Sequence, residues 1–131
     1  GEAMIASGAA SGISSAIASM QGSTPTIMII VVLSLISLLL TNFISNSATA
    51  AILIPIAIET ANILGMTPVP FVMAVALTAT IAFITPVGVP STALIYSTGI
   101  IPRNRLIKTG ILAAIPALLI VLAVVYIFPV P

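Results

Sequence analysis

A stretch rich in hydroxyl and amide groups, LTNFISNSAT at residues 40–49, separates two apolar runs that are each too short to span a membrane. Residues 27–40 are almost wholly apolar, and residues 50–64 carry Glu59 as their single charge. A helix rises about 1.5 Å per residue, so each run covers roughly 20–22 Å, whereas a bilayer core is about 30 Å thick. The pattern predicts a re-entrant hairpin. Its polar tip, residues 41–49, is tolerated at membrane depth only where protein or water covers it, which is usually a binding site.

Composition places the chain in the membrane. Hydrophobic residues make up 60% of its 131 residues and charged residues 4%, whereas a soluble domain carries about a quarter of its residues charged. This predicts an all-α integral membrane protein in contact with a lipid bilayer. Cysteine and histidine are both absent, which removes thiolate metal sites and the commonest general base, so the chain is not predicted to be an enzyme. The formal charge of +1 does not indicate a nucleic-acid partner.

Prolines and glycines divide the chain, residues 1–131, into the segments of a single membrane-embedded unit. The sequence PVGVP at residues 86–90 cannot continue a helix, so one crossing is predicted to be broken at residues 85–92. A chain of this length forms little else, which suggests a fragment or one half of a larger assembly. The predicted segments are an interfacial or packing helix at 1–22, the re-entrant hairpin at 26–64, a discontinuous transmembrane helix at 68–99 and a last full-length span at 106–128.

One cluster of basic residues gives the orientation. Arg103, Arg105 and Lys108 follow the discontinuous helix, and basic residues in short loops favour the cytoplasmic side of a membrane. The last span is therefore predicted to run outward from the cytoplasmic face of an inner membrane, and the hairpin to enter from the outside. Glu59 is a candidate for proton coupling, because carboxylates within membrane segments are often functional. Its distance from the tip favours instead a carboxylate solvated near the outer interface.

The ends of the broken helices supply the predicted chemistry. The second hairpin arm and the lower half of the discontinuous helix both begin near the membrane midplane, and helix N-termini attract anions. The opposite ends present unpaired carbonyls, to which Thr41, Ser45 and Asn46 add side-chain oxygens. No carboxylate is present among them, so sodium is favoured over a divalent cation. An anion site beside a cation site is the arrangement of a cation-coupled anion carrier.

Two motifs resemble a known family. The sequence SNSATA at residues 45–50, followed by IP at 54–55, and the sequence PVGVP at 86–90 are similar to motifs of the divalent anion/sodium symporter (DASS) family. Members of this family carry di- and tricarboxylates or sulfate. The resemblance covers residues 1–128 and corresponds to the later part of the second inverted repeat, so this chain resembles the C-terminal repeat portion of such a carrier.

The resemblance implies a function and a set of site residues. It implies sodium-coupled transport of a divalent anion, with Na⁺ as the coupling ion, a homodimer, and either a missing N-terminal half or a partner chain. Serine at position 47 and valine at position 89 stand where the family has threonine, which favours a different or less polar anion. The implied sodium contacts are Thr41, Ile44, Ser45, Asn46 and Gly88, and the implied substrate contacts are Asn46, Ser47, Val89 and Pro90.

Other interpretations of the same features are open. The polar tip at residues 41–49 can be a surface loop between two ordinary spans, and the break at 85–92 can be a proline kink or an external turn. A non-transporting membrane scaffold or assembly subunit could keep the hairpin fold without carrying anything. An ion channel is less favoured because no segment forms an obvious symmetric filter.

Overall fold

The computed structural model describes residues 2–19, 25–86 and 88–127, and within these ranges it holds seven α-helices and no strand. The all-α prediction is therefore confirmed. Residue 1, residues 20–22 and residue 128, which belong to predicted segments, lie outside the described ranges. The helices are α1 (Glu2–Ala6), α2 (Ala9–Ala18), α3 (Thr26–Thr41), α4 (Asn46–Ile63), α5 (Val69–Thr78), α6 (Pro90–Ser97) and α7 (Arg103–Ile127).

Helices α3 and α4 pack against each other as a helical hairpin. At about 1.5 Å per residue they measure about 24 and 27 Å. The connection between them, residues 42–45, is called the hairpin tip below, and it is shorter than the predicted tip at 41–49 because α4 already begins at Asn46. The Ser45 hydroxyl accepts a hydrogen bond from the Ala48 amide at 3.2 Å, an N-cap that fixes the start of this helix.

The segment predicted as a discontinuous helix contains two helices, and the gap between them is longer than the predicted break. Helix α5 ends at Thr78, although its apolar run continues to residue 84, and α6 resumes at Pro90. Residues 79–89 are called the break segment below, and Val87 within it lies outside the described ranges. The helix ends early because side chains at the end of α3 hydrogen-bond the carbonyls of Ala79 and Ile81, as described for the site.

Two further boundaries differ from the predictions. The segment predicted as one helix at 1–22 contains two short helices, α1 and α2, which Gly8 separates with a φ of 71°. The last helix begins at Arg103 instead of residue 106, so the basic cluster occupies its first two turns. Among the described residues, α7 is the one helix both long and apolar enough to cross a membrane.

The core lies where α3, α4 and α5 meet, with α2 packed on α4 and α7 packed on α5. Its largest fully buried apolar side chains come from all three central helices: Ile29, Leu33, Ile56, Phe71 and Val75. Small polar residues are buried in the same interfaces. Across them, Ser37 donates a hydrogen bond to the Val75 carbonyl at 2.9 Å, and Ser14 to the Ile56 carbonyl at 3.1 Å. Hydroxyl-to-carbonyl bonds of this kind hold helices together where the surroundings are apolar.

Helix α7 touches the break segment through a glycine. Gly110 is buried, and a Cβ atom at this position would lie 2.6 Å from the Phe83 carbonyl oxygen and 2.7 Å from the Ile84 Cα atom. Real Cβ atoms do not approach backbone this closely. The backbone of α7 can therefore lie directly against the break segment only because residue 110 has no side chain.

Two buried serines on α3 are expected to respond differently to alanine substitution. Ser37 bonds the Val75 carbonyl, so Ser37→Ala is expected to lower the free energy of unfolding by about 1 kcal/mol. The Ser34 hydroxyl is fully buried and has no partner among the described residues, so Ser34→Ala should leave stability unchanged or raise it by up to about 1 kcal/mol. Unfolding of the two variants by SDS titration in mixed micelles measures the difference. Equal losses at both positions would contradict the assigned hydrogen bonds.

Candidate functional site

Three oxygen atoms converge where the end of α3 meets the break segment. The fully buried Thr41 places its Oγ1 atom 2.8 Å from Asn46 Oδ1 and 2.5 Å from the Ala79 carbonyl oxygen. A threonine hydroxyl carries one proton and so donates to only one of these oxygens at a time. The set therefore offers more acceptor oxygens than protons. Neutral oxygens gathered at an interrupted helix fit a monovalent hard cation such as sodium.

Thr49 brings a further oxygen to this side of the hairpin. It lies one turn after Asn46 on the same face of α4, is fully buried, and its Oγ1 atom has no hydrogen-bond partner among the described residues. The described residues hold no group of three or more His, Cys, Asp or Glu side chains that could bind a metal ion. The oxygens near the tip are thus uncharged hydroxyls, amides and carbonyls, a donor set that suits sodium better than a divalent ion.

Asn42 joins the hairpin tip to the break segment. Its side chain donates to the Leu38 carbonyl at 2.8 Å and to the Ile81 carbonyl at 3.1 Å, and its Oδ1 atom accepts from the Ile84 amide at 2.9 Å and the Thr85 amide at 3.3 Å. The Thr85 hydroxyl also donates to the Asn42 backbone carbonyl. Two consecutive residues, Thr41 at the end of α3 and Asn42 at the start of the hairpin tip, therefore replace hydrogen bonds that a continuous α5 would make within itself.

Sequence reasoning gave Asn42 and Thr85 no role. The sequence did contain a signal for Asn42. An asparagine at the end of an apolar helix has two hydrogen-bond donors and two acceptor sites that need partners when the residue is buried. An interrupted helix later in the chain has unpaired backbone groups that need such partners. The motif resemblance implied Thr41, residues 44–47 and residues 88–90 as the site instead.

The hairpin tip and the break segment line one open pocket of about 480 Å³. Ser45 supplies its one side-chain hydroxyl, and the other lining residues are apolar or glycine. The first turns of α4 and α6 begin beside it, because Ser45 and Val89 are their N-cap residues. Helix N-termini carry unpaired N–H groups that suit an anion. The lining residues are Phe43, Ile44, Ser45, Pro86, Gly88, Val89, Pro90 and Ala93.

Gly88 allows the break segment to fold back on itself. It is buried, and a Cβ atom there would collide with the Ala82 carbonyl oxygen. The backbone at residue 88 can approach the backbone at residue 82 so closely only because residue 88 is glycine. The close approach fixes the neighbouring residues, Val89 and Pro90, at the wall of the pocket.

The predicted site residues fall into two neighbouring groups. Most of them line the pocket: Ile44, Ser45, Gly88, Val89 and Pro90. Thr41 and Asn46 lie instead in the oxygen cluster with Ala79.

Two of the predicted contacts, those of Ser47 and Ser45, differ in their surroundings. Ser47 is exposed and is not among the residues that line the pocket, so its contact with substrate stays a prediction. The Ser45 hydroxyl is engaged in capping α4, and the Ser45 carbonyl accepts the Thr49 amide at 2.9 Å. Each of these oxygens has a second lone pair, so the sodium contact of Ser45 stays a prediction.

Comparison with protein families identifies the chain. The family model described as "Citrate transporter" matches residues 1–131. The chain belongs to the citrate transporter family. Its relatives are transporters, which implies an integral membrane protein.

Curated relatives of this family member are much longer than the chain. It is 42% identical over 82 residues to the uncharacterized transporter YfbS of Escherichia coli (strain K12), which is 63% of this chain and 13% of that protein. It is 28% identical over 106 residues to the sodium-dependent dicarboxylate transporter SdcS of Staphylococcus saprophyticus, covering 81% of this chain and 20% of that protein. It is 34% identical over 84 residues to the sodium-dependent low-affinity dicarboxylate transporter 1 of Caenorhabditis elegans, covering 64% and 14%.

The family prediction made from the two motifs is confirmed. The relatives are of the divalent anion/sodium symporter type, and the chain matches their C-terminal part. It spans between 13% and 26% of the length of the curated relatives it matches.

Proposed function

We propose that this chain is the C-terminal part of a sodium-coupled secondary transporter for a divalent anion, a di- or tricarboxylate or sulfate. One observation carries the proposal: the hairpin tip and the break segment, far apart in sequence, line one pocket, and an uncharged oxygen cluster lies at the same junction. Two of the relatives named above are sodium-dependent dicarboxylate transporters, which supports both the ion and the class of substrate.

The sodium site would be held by the oxygen cluster. Thr41 Oγ1, Asn46 Oδ1 and the Ala79 carbonyl would contact the ion, and Ile44, Ser45 and Gly88 are the further contacts that the family resemblance implies. Bound sodium supplies positive charge beside a pocket whose lining includes no basic residue. That charge lowers the cost of taking an anion out of water.

The anion would lie against the first turns of α4 and α6. Backbone N–H groups of these turns can donate to it, except at Pro90, which has none. Asn46, Ser47, Val89 and Pro90 are its proposed contacts. Val89 presents methyl groups where the family pattern has a hydroxyl, so this half of the site offers fewer hydrogen bonds to a polar anion. An anion with part of its surface apolar would be tolerated better here than in relatives with threonine at this position.

The remaining parts of the transporter would complete the site. Helix α6 and the turn after it expose large apolar side chains, with Leu94 69% and Ile100 82% accessible. The rest of the carrier, a partner chain or lipid would cover them. The proposed assembly is a homodimer in which the hairpin is re-entrant and the start of α7, with its basic cluster, faces the cytoplasmic side of the inner membrane.

Uptake into vesicles tests the proposal. The full-length carrier that contains this chain is reconstituted, and uptake of labelled succinate, citrate and sulfate is measured with an inward sodium gradient and with an equal potassium gradient. We expect sodium to stimulate uptake of at least one of these anions by about tenfold or more. Equal uptake in both gradients would exclude sodium coupling. No uptake of any anion, from protein that is folded, would instead favour a non-transporting scaffold.

A further inference from the structure

Asn42 is almost fully buried, with 3% of its surface accessible, and all its hydrogen-bonding capacity is in use. Its Nδ2 atom donates to two carbonyls, one of its own helix at Leu38 and one of the break segment at Ile81. Its Oδ1 atom accepts from two consecutive backbone amides of the break segment. A side-chain amide has two donors and two acceptor sites, so every hydrogen-bonding position of the Asn42 side chain has a partner.

The bonds from Asn42 hold the break segment in a conformation it could not keep alone. The amides of Ile84 and Thr85 lie in non-helical chain, and unpaired backbone groups away from water are costly. The Thr85 hydroxyl returns a bond to the Asn42 carbonyl. The break segment is therefore attached to the hairpin tip through both the side chain and the backbone of this one residue.

The attachment lies beside the oxygen cluster. Thr41 bonds the Ala79 carbonyl and Asn42 bonds the Ile81 carbonyl, so the last residue of α3 and the first residue of the hairpin tip hold the carbonyls at the start of the break segment. Further along the chain, the break segment contributes Pro86 and Gly88 to the wall of the pocket. A change at Asn42 would consequently move a proposed sodium ligand, Ala79, without removing any atom that contacts the ion.

We propose that Asn42 is a positioning residue that sets the sodium affinity of the transporter by fixing the break segment against the hairpin tip. This inference deepens the proposed function and rests on it. It assigns to Asn42 no contact with sodium or with the anion. Its effect is on the position of the Ala79 carbonyl relative to Thr41 and Asn46.

The sodium dependence of uptake tests this role in the full-length carrier. Asn42→Leu keeps a side chain of similar size and removes all four side-chain hydrogen bonds. We expect the sodium concentration for half-maximal uptake to rise about tenfold. The anion concentration for half-maximal uptake, measured at saturating sodium, should stay within about twofold of the unsubstituted carrier. The matched control is Asn62→Leu, at an exposed asparagine in the last turn of α4, which should change neither value.

Two results of this assay would overturn the inference. One is a sodium requirement within about twofold of the unsubstituted carrier in a folded Asn42→Leu protein. The other is an equal loss of sodium and anion affinity, because general damage to the fold would produce that pattern. If Asn42→Leu does not fold, Thr85→Val replaces it. This variant removes only the bond to the Asn42 carbonyl and should raise the sodium requirement by about threefold, and an unchanged requirement would count against the inference.

Amide hydrogen exchange separates this inference from the proposed function. The backbone amides of Ile84 and Thr85 are bonded to Asn42, so their exchange should be at least about tenfold faster in Asn42→Leu and unchanged in Asn62→Leu, with or without sodium. Unchanged exchange at both amides would show that Asn42 does not hold the segment. A carrier without any sodium response, in which exchange still accelerates, would remove the proposed coupling and leave the structural role of Asn42 in place.

Discussion

Replacing Gly110 with alanine is expected to lower the free energy of unfolding by about 3 kcal/mol, near the upper end for overpacked sites. The added Cβ atom would lie 2.6 Å from the Phe83 carbonyl oxygen and 2.7 Å from the Ile84 Cα atom. Both are backbone atoms, so they cannot rotate away as the end of a side chain could. Helix α7 must therefore move outward, or the break segment must shift toward the hairpin tip. Unfolding by SDS titration in mixed micelles measures the loss.

Gly12 provides the matched control for this substitution. It is also a helical glycine, in α2, but a Cβ atom there would meet nothing within 4 Å. Gly12→Ala should raise stability by up to about 1 kcal/mol, because alanine favours a helix interior over glycine. Similar changes at both positions would mean that α7 does not lie against the break segment as described.

Thr41→Val is expected to have the largest effect on the sodium response. Valine keeps the shape of threonine but cannot hydrogen-bond Asn46 or the carbonyl of Ala79. Ala79 is buried, so its carbonyl would lose its partner away from water. Leaving such a group unpaired should cost about 2 kcal/mol of stability. The loss of one oxygen of the cluster should also raise the half-saturating sodium concentration at least about tenfold, which corresponds to about 1.4 kcal/mol. Thermal unfolding with and without sodium, together with vesicle uptake, measures both effects.

Thr80→Val is the control for this second substitution. Thr80 is exposed, and its hydroxyl bonds the carbonyl of Leu77 in the preceding turn at 2.7 Å. We expect a change in stability within about 0.5 kcal/mol and no change in the sodium requirement. If Thr41→Val kept the sodium response of the unsubstituted protein, Thr41 would have to be withdrawn from the proposed site.

The positions of the main helices could be predicted because local sequence determines them. Helix α3 begins directly after Pro25, and Gly65, with a φ of 67°, follows the end of α4. Between them the polar residues at 42–45 interrupt the apolar runs. Proline at position 90 starts α6, where it has no amide hydrogen to lose. Turn-forming residues and apolar length act over a few positions, so a single sequence carries the information.

The start of the break segment could not be predicted in this way. Residues 79–84 are apolar apart from Thr80 and would continue a helix by any local criterion. They leave the helix because Thr41 and Asn42, nearly forty positions earlier, hydrogen-bond their carbonyls and amides. These tertiary hydrogen bonds stabilise the non-helical conformation of the break segment and override the intrinsic helix propensity of its residues. The contacts of Asn42 could not be predicted for the same reason.

The site residues predicted from the sequence fall in two environments that the sequence did not separate, the pocket and the oxygen cluster. The motif resemblance grouped Asn46 with Ser47 as neighbours in sequence. On a helix, consecutive residues point about 100° apart. Asn46 accordingly faces Thr41, whereas Ser47 is exposed at the surface of the described chain. The register of α4, which depends on its N-cap at Ser45, decides which of the two reaches the oxygen cluster.

The contact of Gly110 with Ile84 has a consequence for how such a carrier could expose its site to each side of the membrane in turn. Ile84 is bonded to Asn42, so the last span, the break segment and the hairpin are linked in series by backbone contacts and buried hydrogen bonds. A displacement of α7 would carry the pocket wall and the tip with it as a rigid body. Access from either side would then be governed at the boundary between this body and its surroundings, where α6 is exposed, and not by rearrangement inside it.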